Sequence, residues 1–139
     1  VIGCTLRQED ILYFETNVQA VVNANHDFVF YDRNATLFYS NSYISIQHLD
    51  KVAWDLICAT PVLDGYCKFF QNSSATPKYA DRAEKRLAEF LVKDALSLAL
   101  VTRIGVINNV KKRQVQAILA RNGLTLTVDV IPEWYFLGQ

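Results

Sequence analysis

Short apolar runs separated by turn-forming residues set the rhythm of this chain. Ile11-Leu12-Tyr13-Phe14 and Phe28-Val29-Phe30-Tyr31 read as buried strands. Between them Asn17 caps a short helix whose apolar positions include Val18, Val21 and Val22, ending near Asn25-His26-Asp27. Asp32-Arg33-Asn34 supplies a turn after the second strand. Ala35 to Tyr43, small, aromatic and polar, predicts a helix, and Leu49, Val52, Ala53, Leu56 and Ile57 recur at helical spacing through Trp54. Pro61 to Pro77 then breaks the pattern. It holds Gly65, Asn72-Ser73-Ser74 and the aromatics Tyr66, Phe69 and Phe70, and so long a connection in a small domain is commonly functional. Helical composition returns from Lys78 to Leu87 and gives way to a strand at Phe90-Leu91-Val92. A further strand at Ile104 to Ile107 leads into Asn108-Asn109, which caps a helix from Lys111 to Arg121. That helix is expected to bury Val115, Ile118 and Leu119 and to stop at Asn122-Gly123. Leu124, Leu126, Val128 and Val130 alternate with polar residues as a half-buried strand, Pro132 ends it, and Trp134-Tyr135-Phe136 reads as a terminal aromatic strand. Strands and helices mix without a strict strand–helix–strand alternation, so the class expected is α+β.

Composition narrows the setting. With 139 residues, 51% hydrophobic and 20% charged, the chain is the size of one domain and is not a disordered or coiled-coil sequence. No apolar run approaches 18 residues, so no membrane span is expected. Lys and Arg balance Asp and Glu at 14 each, so affinity for a polyanion has to come from local patches. Methionine is absent even from position 1, where Val1-Ile2-Gly3-Cys4 stands, and a piece of a longer protein is the expectation. Cys4, Cys58 and Cys67 lack metal-ligand spacing and lie far from His26 and His48, so no metal site is expected and a reduced, cytoplasmic protein is. Asn34-Ala35-Thr36 and Asn72-Ser73-Ser74 match the glycosylation pattern, which matters only on secretion.

Generic catalytic signatures are missing: there is no Gly-rich phosphate loop, nucleophile elbow or zinc helix. His26 reads as a turn residue and His48 as a side chain at the start of a helix. Glu89 falls where the helical pattern yields to Phe90-Leu91-Val92, behind the long irregular segment. A carboxylate there is placed to meet a substrate covered by the loop; the plain alternative is a strand-end Glu paired with Lys85 or Arg86. From Ala95 to Val128 there is no acid, while Arg103, Lys111, Lys112, Arg113 and Arg121 are basic. Three of these stand at a helix start, where the dipole disfavours cations. They serve either an external anion such as nucleic-acid phosphate or a solvated helix face.

Four blocks carry a family resemblance. Phe28-Val29-Phe30-Tyr31-Asp32-Arg33-Asn34-Ala35 resembles the strand and "Asp-Gly-Asn-Ala" segment of DarT-type DNA ADP-ribosyltransferase toxins. Leu49-Asp50-Lys51-Val52-Ala53-Trp54 is similar to that family's "Leu-Asp-x-Ile-Asp-Trp", and Arg86-Leu87-Ala88-Glu89-Phe90-Leu91-Val92 to its "Gln-Ala-Glu-Phe-Leu-Val". Trp134-Tyr135-Phe136 matches its "Trp-Tyr-Phe" terminus. The blocks keep their order and cover about residues 9–136. Arg33 stands where the family commonly has Gly, and Ala53 replaces an Asp.

The resemblance implies an ADP-ribosyltransferase-like mixed sheet with flanking helices. Residues 1–139 would be the C-terminal portion of a single such domain, with the nucleotide-binding element and catalytic arginine expected upstream of Val1. It implies NAD⁺ as substrate, a base in single-stranded DNA as acceptor, Glu89 as the catalytic glutamate, and a macrodomain antitoxin that removes the modification. Carried over by position, Arg33, Asn34, Lys78, Arg82 and Arg86 are candidate DNA contacts. Tyr66, Phe69 and Phe70 either stack on a base or pack the loop down. The second reading is a non-catalytic module of the same fold that binds nucleic acid or a protein.

Overall fold

The computed structural model describes residues 7–59, 72 and 77–135. The elements, in chain order, are β1 (Tyr13–Glu15), α1 (Val18–Asn23), β2 (Phe28–Tyr31), β3 (Ser42–Tyr43), α2 (Trp54–Ile57), α3 (Arg82–Arg86), β4 (Phe90–Val92), β5 (Arg103–Val106), α4 (Asn109–Arg121) and β6 (Thr127–Val130). Short 3-10 turns lie between them. The chain forms two compact units, His26–Asp94 and the combined segments Val1–Asn25 and Ala95–Gln139. The α+β expectation holds.

In the split unit, β5 is the middle strand of a mixed sheet, antiparallel to β1 and parallel to β6. Its residues Ile104, Gly105 and Val106 are all buried, as a central strand requires. The helix α4 connects the parallel pair and lays Val115 and Leu119 against Ile104, Val106 and Val128. Asn108 starts it by accepting a hydrogen bond from the Lys111 N–H at 3.0 Å. Gly123 ends it at φ +66°, a conformation that costs an L side chain energy. Ile118, expected in this core, is half exposed: the helix buries a narrow stripe, and residue 118 falls just outside it.

The sheet's other face is aromatic. A methyl on Gly105 would stand 2.3 Å from the Trp134 ring, so the indole packs where only a glycine leaves room. Tyr13 meets Trp134 and Tyr135 edge-on, at 5.9 and 5.0 Å between centroids. The buried Tyr135 hydroxyl donates to the Ile11 carbonyl at 2.7 Å. These contacts explain why Trp134 and Tyr135 are not the expected terminal strand. Pro132–Trp134 turns as 3-10 helix to drop both rings onto the sheet; Phe136 lies outside the described residues. The strand expected from Leu124 is likewise shorter, since only Thr127–Val130 pairs with β5.

The His26–Asp94 unit is a three-stranded antiparallel sheet in the order β3-β2-β4. Phe30, 1% exposed, is its centre and stacks on Tyr43 and Phe90. Val52 and Leu56 are the other buried apolar side chains there, among the described residues. Two expected helices fail for local reasons. From Ala35 to Ser40 the chain is a series of turns, because the Asn34 side chain accepts from both the backbone N–H and the hydroxyl of Thr36. The stretch through Leu49 and Ile57 is broken at Val52, which is extended; a 3-10 turn at Ile46–Lys51 precedes the break and α2 follows it.

Candidate active site

Glu89 and the five positions carried over as DNA contacts all lie in the His26–Asp94 unit. Glu89 immediately precedes β4, and its carbonyl accepts from the Tyr31 N–H at 2.9 Å, which fixes its backbone against the end of β2. Its residue is half-buried. The alternative of a pairing with Lys85 or Arg86 is not what the side chains do. Lys85 reaches Asp81 at 2.9 Å, one helical turn away, and Arg86 donates from Nη1 to the Leu56 and Ile57 carbonyls. Arg86 thus satisfies carbonyls at the C-terminal end of α2, where a cation is favoured. Among the described residues, no hydrogen bond or ion pair holds the Glu89 carboxylate.

Around Glu89 the loop after β2 is strongly fastened. Asp32, 8% exposed, accepts from the Asn41 backbone N–H at 3.1 Å and from the Asn41 side-chain amide at 2.8 Å. Burial pushes the Asp32 carboxyl up, but the Asn41 side-chain and backbone N–H groups, with Arg33, outweigh it and hold the carboxyl below its ordinary value. Arg33 spans the Asp32 and Asp81 carboxylates, each at 3.3 Å, lies 5.4 Å from the Tyr39 ring centroid, and has a side chain 17% exposed. The Asn34 N–H donates to the Glu84 carbonyl, which ties the loop to α3.

Of the remaining candidates, Lys78 is exposed and Arg82 partly buried. Lys78 pairs with Asp55 at 2.7 Å, both half or more exposed; the hydrogen bond raises the Lys78 pKa and lowers that of Asp55. The Arg82 guanidinium lies 4.6 Å from the Tyr79 ring centroid. Arg33, Asn34, Arg82 and Arg86 are all partly buried and engaged within the unit, whereas Lys78 is exposed. Tyr66, Phe69 and Phe70 lie outside the described residues.

Sequence reasoning missed Asp81 and Glu84. Asp81 collects both Arg33 and Lys85, and Glu84 takes the Asn72 amide on one oxygen while its other oxygen is buried with no partner among the described residues. The four-residue spacing of Asp81 and Lys85 was the available signal. The basic stretch of the other unit is also more internal than expected. Lys111 pairs with Asp10, and Lys112 lies 4.0 Å from Asp129, acids outside the window that contained none. Arg113 and Arg121 are exposed. Among the described residues no group of three or more His, Cys, Asp or Glu is arranged to hold a metal ion, and no helix is long and apolar enough to cross a membrane.

A family model described as "DarT: ssDNA thymidine ADP-ribosyltransferase" matches residues 3–136. The chain belongs to the DarT family. A "DNA ADP-ribosyl transferase" of Thermus aquaticus is 34% identical over 114 residues, 82% of this chain and 44% of the relative. One from Escherichia coli O127:H6 is 25% identical over 128 residues, 92% of this chain and 54% of the relative. The solved structure of Thermus sp. 2.9 DarT in complex with ADP-ribosylated ssDNA superimposes with a TM-score of 0.79 at 27% identity, covering 96% of this chain and 58% of that one. The same DarT in complex with NAD⁺ gives a TM-score of 0.79 and covers 62% of that chain. The chain spans about half the length of the curated DarT relatives it matches.

Proposed function

We propose that this chain carries the catalytic carboxylate of an NAD⁺-dependent ADP-ribosyltransferase that modifies a base in single-stranded DNA, with Glu89 as that carboxylate. The observation that carries the reading is a half-buried Glu89, backbone-fixed beside β2, whose side chain no described residue engages. An acid left uncommitted in a unit whose other carboxylates are largely spent on ion pairs is available for a ligand. The family match, and relatives solved with NAD⁺ and with ADP-ribosylated ssDNA, support the choice of ligand.

The chemistry suits a carboxylate. Departure of nicotinamide leaves an oxocarbenium-like ribose, the kind of cationic transition state that carboxylates stabilise in glycoside hydrolysis. A fixed Glu89 binds the ribose hydroxyl, offsets the developing charge and takes up the proton of the attacking base nitrogen. The exposed Lys78 and the Arg82 guanidinium of the same unit supply phosphate contacts to the DNA strand; Arg33, Asn34 and Arg86 act by shaping the loops beside it. In this reading residues 1–139 are part of one transferase domain, and the protein is a cytoplasmic toxin whose mark a macrodomain antitoxin removes. A macrodomain gene beside its own would support that last step.

The test is to incubate the complete protein with NAD⁺ and short single-stranded oligonucleotides and read the mass of one added ADP-ribose. Glu89→Gln keeps the shape and removes the charge, and is expected to lower transfer by a factor of about 10²–10⁴ or more. Transfer undiminished in that variant would remove Glu89 from the mechanism, and no transfer by the parent protein would favour a non-catalytic binding module.

A further inference from the structure

Phe38 is 97% exposed, more than any other large apolar side chain among the described residues. The loop that carries it is not loose. Its base is closed by Asp32 and Asn41, which exchange a backbone bond of 3.2 Å besides the two bonds to the Asp32 carboxylate. Its first turn is set by Asn34 and Thr36, and the Ser40 hydroxyl and Leu37 N–H both donate to the Asn34 carbonyl. Tyr39 meets the Phe38 ring edge-on, with centroids 5.0 Å apart and planes at 89°, and Arg33 backs Tyr39 from within the unit. The ring is thus held out in water by a many-times-bonded loop, in contact with Tyr39 and 97% exposed.

The surroundings select the partner. Thr36, Ser40 and Asn41 are polar positions of the same loop, and the ring that Phe38 meets, Tyr39, is itself 44% exposed, so the loop presents two aromatic rings to solvent among polar residues. A nucleobase needs only a π-face, and single-stranded nucleic acid is bound by stacking bases on exposed aromatics of this kind. Arg33, whose guanidinium lies against the Tyr39 ring, is already shared between Asp32 and Asp81, so attraction here is stacking rather than phosphate binding. Location agrees. The loop leaves β2 at Tyr31, which is bonded to Glu89, and seven residues of chain reach at most about 25 Å, the span of a few nucleotides.

We propose that Phe38 is a stacking platform for an unmodified base of the single-stranded DNA, one that sets the position of the strand whose neighbouring base is presented to Glu89. This rests on the transferase reading above. Phe38 touches no reacting atom; it acts on how DNA is gripped.

The experiment compares the complete protein with its Phe38→Ala and Phe38→Trp variants, using NAD⁺ and oligonucleotides in which a single abasic site is walked through the positions flanking the modified base. Phe38→Ala is expected to raise KM for DNA about tenfold, the usual scale for loss of one stacked base, with kcat little changed. The salt dependence of DNA binding stays the same, because no phosphate contact is removed. Phe38→Trp keeps or improves the KM. In the parent protein one abasic position reproduces the loss, and in Phe38→Ala that position costs nothing further. An unchanged KM, an altered salt slope, or abasic losses equal in both proteins overturns the assignment. Because the ring is fully exposed, thermal melting of the variants is expected to match the parent, so a loss is read as binding. Absence of DNA modification by the parent protein overturns the transferase reading and this one together, whereas parent activity with an indifferent Phe38→Ala overturns this one alone.

Discussion

The two units hold their strands by different means. In the unit of Val1–Asn25 and Ala95–Gln139, a helix of 13 residues lays an apolar stripe on a sheet, and eight of the described hydrophobic side chains there are buried. In His26–Asp94 three are, Phe30, Val52 and Leu56, and beside them sits a buried Asp32. Among its described residues the second unit is fastened mainly by directed bonds: Asp32 to Asn41, Arg33 to Asp81, Asn34 to Thr36 and Arg86 to the end of α2. Hydrophobic packing is non-directional and serves as a scaffold. Hydrogen-bonded loops fix particular groups in particular places, and this is the unit that contains Glu89. The widest separation between the two is therefore expected in catalysis. Glu89→Gln should remove most or all transfer while leaving the melting temperature within a degree or two, an outcome that no single core substitution in the other unit would produce.

Next in size is the contrast between cores. Phe30→Ala removes the ring on which Tyr43 and Phe90 both stack, and should cost about 3–5 kcal/mol. Ile104→Ala, in the larger core, falls in the range of about 2–5 kcal/mol. Denaturant unfolding gives the totals, and hydrogen exchange followed peptide by peptide shows where protection is lost. Phe30→Ala is expected to strip it from residues 28–43 and 90–92. A loss spread evenly over both units would erase the distinction drawn here.

How much of this was legible in the sequence follows the same division. The caps Asn17 and Asn108, the stop at Gly123, and the strands at Phe28–Tyr31 and Phe90–Val92 are local events, decided by residues within a turn of one another, and the pattern located them. The Ala35–Tyr43 helix and the terminal aromatic strand were misread because distant or side-chain bonds override propensity. Asn34 captures Thr36, and Gly105 opens a seat for Trp134. The position of Glu89 came from the helix-to-strand transition and from the family block around it. That its carboxylate is left uncommitted could not be read, since this depends on Lys85 and Arg86 finding other partners.

Acid offers a third, smaller way to separate the units. Asp32 has its carboxyl held below the ordinary 3.8, despite burial, by Asn41 and then Arg33. A carboxyl whose pKa is lower when folded adds stability that is fully present above 3.8 and fades as the pH falls through the folded value. Asp32→Ala leaves the two Asn41 donors unsatisfied and should cost about 1–3 kcal/mol at neutral pH. The cost is expected to shrink as the pH falls below 3.8 and through the lowered folded value, where the parent loses the same contribution. Other carboxyls with lowered pKa, such as those of Asp10 and Glu15, add their own acid sensitivity to both proteins, so the difference between the two curves is the quantity to compare. A cost that stays constant with pH would show that the Asp32 charge is not what fastens the loop.

The smallest effects test whether the bonds of the His26–Asp94 unit act as a set. Asn108→Ala deletes one cap at the start of α4 and should cost about 1 kcal/mol, as should Asn17→Ala at the start of α1. These caps share no partner, and their costs are expected to add within about 0.5 kcal/mol. Asn34→Ala should also cost about 1 kcal/mol, but it loosens the loop whose ends Asp32 holds to Asn41, so removing both residues should cost less than the sum. A coupling above about 0.5 kcal/mol between positions 32 and 34, with none between 17 and 108, would mean that loop order is cooperative. Phe38, carried between those two anchors, would then lose its fixed pose in either single variant, and KM for DNA should rise in Asp32→Ala and Asn34→Ala alike.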